Sequence, residues 1–354
     1  MDIKNLLQLV VDRNASDLHL IVGIPPTIRI DGVLQPIASE AVATPETMAA
    51  SLKEVLNSEE LERLTVNKEI DFSLAFSEKA RFRVNAYTQR GTLAVAFRRI
   101  PLAIPTIDDL GLPKILHSFT TLRQGFILVT GPTGHGKSTT LASIIDEINH
   151  NRACHVITIE DPIEFVFRPD KAIISQREMH GDTHSWPIAL RSALREDPDV
   201  VLVGEMRDYE TIAAALTVAE TGHLVFATLH TNSAAQTVDR IVDVFPEEQQ
   251  TQVKLQLSSV IEAVFSQRLV PAISGGRVVA YEIMLATTAI KTTIREGKTH
   301  QIDSILQTSQ EVGMATIEVS LAELVKAGKI TTENAQSYSL RPEELVRLIR
   351  GYEK

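Results

Sequence analysis

The chain has 354 residues, of which 44% are hydrophobic and 23% charged, and its formal net charge is −10; this length allows two or three domains, and the acidic balance argues against nucleic acid or an anionic membrane as the default partner. Its one cysteine, Cys154, allows neither an intramolecular disulfide nor a cysteine zinc site. Because there is no signal-peptide apolar region and no apolar run of about 18 residues, we expect a cytoplasmic protein without a membrane span of its own.

The first hundred residues have the pattern of a small α+β domain. Its predicted elements are, in chain order, a helix from Ile3, short strands at 18–20 and 27–30 with a turn at Asp31-Gly32, a helix from Thr44-Pro45, and three alternating strands at 70–76, 82–86 and 93–97. Strict alternation of apolar and polar residues is typical of antiparallel strands with one buried face.

Arginines lie on the polar face of the second alternating strand. Arg81 and Arg83 are two residues apart and therefore project from the same side of that strand, while Arg98 and Arg99 end the next one. Guanidinium groups are planar bidentate donors, so this face could reach phosphates bound by another segment or another subunit. A solvated sheet face explains the spacing equally well, and the spacing alone leaves the choice open.

Two prolines mark a change of pattern at 101–105, where regular structure is disfavoured. We place the domain boundary there, which gives an N-terminal domain at 1–100, a linker at 101–118, and a second domain with C-terminal helices at 119–354.

Residues 131–138 form a complete phosphate-loop pattern, G-x-x-x-x-G-K-[ST], between a predicted strand at 126–129 and a predicted helix at 138–148. Glycines let backbone N–H groups face phosphate oxygens, Lys137 adds a positive charge, and the Ser138 hydroxyl can ligate Mg²⁺. The pattern predicts binding of a nucleoside triphosphate. The residues assigned to it are Gly131, Pro132, Thr133, Gly134, His135, Gly136, Lys137, Ser138 and Thr139.

Acidic residues and a histidine follow three apolar strands of the second half. The strand at 156–159 is followed by Glu160, Asp161 and Glu164, the strand at 200–204 by Glu205, and the strand at 224–229 by His230. Near-continuous apolar strands alternating with helices predict a parallel sheet, whose ligands bind at the carboxyl ends of the strands. We therefore expect these five side chains to converge on the phosphate loop, where carboxylates can hold Mg²⁺ or its waters and polarise an attacking water.

Two histidines, His223 and His230, bracket the strand at 224–229. Neither has the spacing of a zinc ligand pair. A neutral imidazole beside a γ-phosphate could instead sense that phosphate and relay its presence to the next element.

Four blocks together, at 131–139, 159–164, 202–208 and 222–233, resemble the secretion-type ATPases, the hexameric motors of type II and type IV pilus and secretion systems. The resemblance implies an α/β fold class: a PAS-like α+β N-terminal domain followed by a RecA-like P-loop NTPase domain with a mainly parallel sheet. It also implies a homohexamer that uses ATP and Mg²⁺, with no nucleic acid partner. It further implies an inner-membrane pilus platform protein as partner, and a peripheral position at the inner face of the cell membrane.

The resemblance also implies roles for individual residues. Ser138, Glu205 and Glu164 would hold the metal, and the two glutamates would activate water. Glu160 and Asp161 would contribute to nucleotide binding, and His223 and His230 would couple the site to motion. Arg81, Arg83 and Arg98 match arginines that approach the nucleotide from the small domain.

Within this family, the short N-terminal half and the missing cysteine zinc motif resemble the pilus retraction ATPases. The stretch at 289–302 is similar to a segment associated with retraction and predicts a helix that ends at Gly297, although Lys291, Thr292 and Thr293 replace the usual Arg-Asn-Leu. His135 stands where the family usually has a small residue, so its imidazole must point away from the phosphate or contact it. A last helix, at 342–350, is expected to pack on the ring or on a partner.

Three other functions remain open on the sequence. A pilus assembly or type II secretion motor belongs to the same family. A nucleic-acid-dependent P-loop ATPase is disfavoured by the acidic charge and by the lack of aromatic residues for base stacking. A nucleotide-regulated scaffold without turnover is disfavoured by the intact Glu205.

Overall fold

The computed structural model describes residues 2–30, 32–77, 80–100 and 103–352, which form two compact units. Unit 1 comprises Met1–Ala103 and Pro162–Val166, and unit 2 comprises Ile104–Asp161 and Phe167–Lys354. Asp31 of the predicted turn, and Pro101 and Leu102 of the predicted linker, lie outside the described residues.

Unit 1 is an antiparallel sheet with helices. Its helices are α1 (Ile3–Asp12), α2 (Pro45–Lys53) and α3 (Ser58–Asn67), and its strands are β1 (Asp17–Ile21), β2 (Thr27–Ile30), β3 (Val33–Pro36), β4 (Glu69–Ser77), β5 (Ala80–Gln89) and β6 (Thr92–Ile100). Over the described residues the strand order is β3-β2-β1-β6-β5-β4, with every neighbouring pair antiparallel. This confirms the three alternating strands predicted from the sequence.

Local chemistry explains where these elements begin and which face they bury. Thr44 caps α2 by accepting a hydrogen bond from the Thr47 N–H at 3.3 Å, and Pro45 occupies the first helical position. Along β5, Phe82 and Val84 are fully buried, whereas Arg83 between them is not. The period of two therefore puts the arginines of β5 on the polar face.

Unit 2 alternates strands and helices. Its strands are β7 (Gly125–Thr130), β8 (His155–Glu160), β9 (Ile173–Glu178), β10 (Val200–Val203), β11 (Leu224–Leu229), β12 (Ile261–Pro271) and β13 (Arg277–Leu285). Its helices are α4 (Leu116–Thr121), α5 (Lys137–Asn151), α6 (Trp186–Ala193), α7 (Tyr209–Glu220), α8 (Ala234–Asp243), α9 (Glu247–Val260), α10 (Thr288–Arg295), α11 (Ile302–Thr308), α12 (Ile317–Lys326), α13 (Thr332–Tyr338) and α14 (Pro342–Tyr352). Short 3₁₀ turns lie at Thr299–Gln301 and Gln310–Val312.

The sheet of unit 2 has the order β13-β12-β7-β11-β10-β8-β9 over the described residues. All pairs are parallel except β12 with β13. Every residue of β7, β10 and β11 is buried, as expected for strands covered on both faces. The predicted parallel sheet is therefore confirmed, and its carboxyl edge is where the phosphate loop begins.

The C-terminal helices pack on this chain. Helix α10 buries Ile290 and Ile294 and is followed by Gly297 at φ +69°, which matches the predicted glycine-terminated helix. Leu345 of α14 is fully buried in one apolar cluster with Ile317 and Leu321 of α12. The buried part of this last helix therefore packs within unit 2, and its packing on other subunits of a ring or on a partner stays a prediction.

Candidate nucleotide-binding site

The phosphate loop joins β7 to α5 through glycines with positive φ, a backbone conformation that other residues adopt only at a cost. Gly131, Gly134 and Gly136 have φ of +138°, +78° and +84°. A Cβ on Gly131 would lie 2.3 Å from the carbonyl oxygen of Gln267 on β12. Glycine is required at Gly131 both for its dihedral angle and for this close approach of two backbones.

Lys137 is the first residue of α5, and its side chain folds back over the loop. Its Nζ donates hydrogen bonds to the carbonyl oxygens of Gly131 at 2.8 Å and Pro132 at 3.1 Å. These bonds hold a buried ammonium group in the concave side of the loop. Ser138 and Thr139 follow in the first turn of α5 and are partly exposed.

The loop is fastened to the β12–β13 hairpin by contacts that the sequence pattern did not predict. Gln267 Nε2 donates to the His135 carbonyl oxygen at 2.6 Å, and Thr140 Oγ1 donates to Gln267 Oε1 at 2.7 Å. Arg277 Nη1 donates to the Gly134 carbonyl oxygen at 3.3 Å. Gln267 and Thr140 are 127 residues apart in the chain, so no local signal could have revealed this link.

The side chain of His135 points away from the phosphate-binding side of the loop, which was one of the two orientations expected from the sequence. Its Nδ1 accepts a hydrogen bond from the Leu269 N–H of β12 at 2.9 Å. The imidazole therefore points out of the loop towards β12, and not into the phosphate-binding side.

Strand register brings two of the predicted side chains to the loop. Thr130, which precedes the loop, pairs with Leu229, which precedes His230, and Val203 pairs with Ala227 one strand further along. Gly204 then lets the chain pass close to the end of β8, since a Cβ there would lie 3.2 Å from the Glu160 Cα. His230 and Glu205 consequently leave the same edge of the sheet.

A row of polar side chains runs from the loop to Arg207. The Nδ1 of His230 lies 3.4 Å from both Lys137 Nζ and Thr133 Oγ1, and its Nε2 lies 3.6 Å from Glu205 Oε2. The other oxygen of Glu205 is 2.7 Å from Arg207 Nε. Burial and then the Lys137 ammonium hold the pKa of His230 below its ordinary value, against the opposing effect of Glu205. A neutral imidazole thus connects the loop lysine to a carboxylate, and Arg207 was missed by the sequence analysis.

The acids that follow β8 have different surroundings. Glu160 is buried, and its Oε1 accepts hydrogen bonds from Thr158 at 2.7 Å and from Gln176 of β9 at 3.3 Å. Asp161 is exposed, and Glu164 belongs to unit 1, where its Oε1 lies 3.6 Å from Arg83 Nη1. The expected convergence is therefore seen for Glu205 and His230, while nucleotide contacts of the other three acids stay a prediction.

His223 lies at the other end of β11 from His230. Its carbonyl oxygen accepts from the Gly125 N–H at the start of β7, and its ring Nδ1 is 3.0 Å from both the Val218 carbonyl and Thr221 Oγ1. Because β7 starts at this edge and the loop follows its opposite end, the fold of one chain does not bring His223 to the phosphate loop.

The arginine face of unit 1 carries acidic partners that the sequence analysis missed. Arg83 contacts Asp71 of β4 at 2.6 Å, and Arg98 contacts Asp17 of β1 at 3.0 Å, although the Arg98 side chain stays 75% exposed. The alternation of β4 puts Asp71 on this face, which was a readable signal. The face is therefore of mixed charge, with Arg98 as its exposed cation.

Among the side chains that the structure describes, no three of His, Cys, Asp or Glu are grouped so as to hold a metal ion. None of the described helices has the length and apolar composition needed to cross a bilayer.

The chain is similar to known proteins over nearly its whole length. Residues 1–275 match the family described as type II/IV secretion system protein. The chain is 47% identical to the type IV pilus retraction ATPase PilT of Pseudomonas aeruginosa, over 97% of this chain and 99% of the relative. It is 48% identical to the twitching motility protein of Neisseria gonorrhoeae, over 90% of this chain and 86% of the relative.

Solved structures show the same likeness. The pilus retraction motor PilT with bound ADP superposes with a TM-score of 0.91 at 46% identity, over 98% of this chain and 99% of that one. The ATPase DotB of Legionella pneumophila gives a TM-score of 0.84 at 28% identity, over 99% of this chain and 95% of that one. The predicted α/β class, an N-terminal domain followed by a RecA-like ATPase domain, is thereby confirmed.

Proposed function

The chain belongs to the type II/IV secretion system ATPase family, and from this premise we propose that it is an ATP-hydrolysing motor that powers type IV pilus retraction. The observation that supports it most is the contact of Lys137 with His230 and of His230 with Glu205 at the carboxyl edge of the sheet. These contacts put a cation, a neutral base and a carboxylate beside a phosphate loop. Similarity to retraction ATPases over nearly the whole length of both chains supports the direction of work.

The proposed reaction converts ATP and water into ADP and phosphate. The loop N–H groups bind the phosphates, and Lys137 exchanges its two loop carbonyls for phosphate oxygens. Glu205 takes a proton from the attacking water, and His230 holds Glu205 at a fixed distance from Lys137. Glu164 is proposed as the second water-activating carboxylate.

Mg²⁺ suits hydroxyl and carboxylate oxygens as ligands. The Ser138 hydroxyl, with the carboxylates of Glu205 and Glu164, would hold it together with phosphate oxygens, the kind of shared coordination that Mg²⁺ prefers. When bound, it supplies charge neutralisation on the transferred phosphoryl group.

The arginines of unit 1 are proposed to act on a nucleotide bound by another subunit of a homohexamer. Arg98 is the best candidate, because three-quarters of its side chain is exposed. Arg81 and Arg83 would supply further guanidinium groups from the same face of β5. An inner-membrane platform protein of the pilus is the proposed partner, with the motor at the cytoplasmic face of that membrane.

The linker at 101–105 is the proposed hinge between a nucleotide-free and a nucleotide-bound arrangement of each subunit. Stiffening it should impair twitching far more than nucleotide binding. Twitching assays paired with nucleotide titrations of a linker variant test this, and unaltered twitching in a demonstrably stiffened variant contradicts it.

Deletion of the gene in a piliated cell tests the proposed function. We expect more surface pili and loss of twitching, with rescue by the wild-type chain but not by Glu205→Gln. Bald cells would assign the chain to assembly instead. Hydrolysis that needs DNA or RNA would replace the motor by a nucleic-acid-dependent ATPase.

A further inference from the structure

The side chain of His135, inside the phosphate loop, is hydrogen-bonded to a neighbouring strand. Its Nδ1 accepts the Leu269 N–H at 2.9 Å, and its carbonyl oxygen accepts Gln267 Nε2 at 2.6 Å. The side chain and the backbone of His135 therefore bind two residues of β12, Leu269 and Gln267, which are two positions apart. A backbone donor fixes the protonation state that this contact requires, because only an unprotonated Nδ1 can accept.

We propose that His135 is a positioning residue for nucleotide binding: its neutral imidazole fastens the phosphate loop to β12, and protonation releases this fastening and weakens nucleotide binding. The inference rests on the proposed ATPase function and adds a pH-sensitive control to the same site. Protonated Nδ1–H and the Leu269 N–H would be two donors facing each other, so the contact cannot survive protonation without movement of the loop.

Three cations near the ring oppose its protonation: Arg277 on β13, Arg268 on β12 and Lys137 on α5. The other titratable group beside the ring is Tyr338 on α13, whose ring centroid is 6.5 Å from that of His135. Burial, followed by the three cations, lowers the pKa of His135 below its ordinary value. The hydrogen bond from the Leu269 N–H is therefore present near neutral pH and is lost only at acidic pH.

Release would be partial. The Gln267 bond to the His135 carbonyl and the Arg277 bond to the Gly134 carbonyl do not depend on the imidazole proton. Losing one hydrogen bond out of this set, and the preorganisation that it gives, should weaken nucleotide binding by about fivefold to tenfold.

The experiment compares the wild type with His135→Asn and His135→Ala. Asn carries an acceptor oxygen close to where Nδ1 stood and does not titrate, whereas Ala removes the acceptor. The KM for ATP and the dissociation constant of a fluorescent ADP are measured between about pH 5.5 and 8, and the wild-type value is divided by the His135→Asn value. Titration of the nucleotide and of His230 is common to both proteins and cancels in this ratio.

We expect a ratio that is constant at the alkaline end, whatever its value there, and that rises by about fivefold to tenfold as the pH falls. His135→Ala should bind weakly at every pH, with a constant ratio to His135→Asn. A flat ratio, or an imidazole ¹⁵N spectrum showing Nδ1 protonated at neutral pH, would overturn the inference while leaving the ATPase intact. Absence of nucleotide binding by the wild type at every pH would overturn the proposed function and this inference together.

Discussion

Gly131 and Gly134 lie in the same loop and both have positive φ, yet their surroundings differ. A Cβ at Gly131 would meet the Gln267 carbonyl at 2.3 Å, whereas a Cβ at Gly134 would have no heavy atom within 4 Å. Both positions are strained for other residues, Gly131 more so, because its φ of +138° lies farther from the left-handed helical region than the +78° of Gly134. Gly131 also faces a rigid neighbouring backbone. The loop motif thus contains one glycine needed for conformation and one needed for conformation and space.

Replacing these two glycines by alanine gives a matched test. Both variants carry the cost of a side chain at positive φ, of about 1–3 kcal/mol. Gly131→Ala should lose a further amount of about 1–3 kcal/mol, because β7 and β12 must separate locally. Urea unfolding without nucleotide measures both, and equal losses would show that the close approach to Gln267 does not matter energetically.

At the scale of elements, the β12–β13 hairpin connects the phosphate loop with the C-terminal helices. On its loop side it provides Gln267, Leu269 and Arg277. On its other side, Glu282 of β13 is 1% exposed and accepts the Ala234 N–H at the start of α8 through Oε1. The hairpin therefore touches the loop, the segment after His230, and the last helices.

The C-terminal helices are joined by a buried ion cluster. Glu318 of α12 is fully buried, and its carboxylate accepts from the Arg341 guanidinium at 3.0 Å and from the N–H groups of Leu340 and Arg341 at 2.9 Å. Arg341 also lies 3.8 Å from Glu282 Oε2. Glu318 is thus well satisfied, whereas burial raises the pKa of Glu282 to about 7.

This pKa makes a prediction about pH and stability. The raised value means that folded Glu282 binds its proton more tightly than unfolded Glu282, so its stabilising contribution is complete below about pH 4.5 and is lost as the pH rises through about 7. In Glu282→Gln, the free energy of unfolding should fall by up to about 3 kcal/mol less over this pH range than in the wild type. Urea unfolding at several pH values measures it.

Glu344→Gln is the control, since Glu344 also contacts Arg341, at 3.2 Å, but remains partly exposed. This variant should keep the wild-type pH slope. If Glu282→Gln kept the slope as well, the buried carboxyl would not be its source.

At the scale of the whole molecule, the exposed Arg98 makes a prediction about shared sites. Arg98→Ala should slow ATP turnover by up to about 10³–10⁵-fold if the guanidinium reaches the transferred phosphate. Arg99→Ala is the matched control, because Arg99 Nη1 is occupied by Asn14 at 2.8 Å, and it should change turnover little. Steady-state ATPase assays measure both.

Mixing the inactive Arg98→Ala and Glu205→Gln chains then tests whether the site is shared between subunits. Mixed rings contain sites with both wild-type groups only if the arginine acts across a subunit boundary. We expect mixing to restore ATP turnover. If the mixtures stay inactive, Arg98 and Glu205 act at a site that is formed by a single chain.

Local signals predicted much of the fold. The glycine pattern at 131–138, the apolar runs of β7, β8, β10 and β11, and the alternation of β4, β5 and β6 all depend on neighbours a few residues apart. Capping chemistry likewise predicted that Gly297 would follow α10 and that α2 would start at Pro45.

Contacts between distant segments escaped the sequence analysis. The Gln267 anchor, the Arg207 contact of Glu205, and the Asp17 and Asp71 partners of the arginines depend on strand order or side-chain direction. The sequence did not show that α14 packs on α12, because an amphipathic helix does not specify which apolar surface it will cover.

The phosphate loop, the parallel sheet and the polar residues at its strand ends could all be predicted from residues that are close together in the chain. Which of these residues meet depends on the folded chain: strand register puts His230 between Lys137 and Glu205 and leaves His223 at the opposite end of β11. The fold also turns His135 towards Leu269. The physical reason is that periodicity and capping act along the chain, whereas register and close approach act between segments that the chain order does not place together.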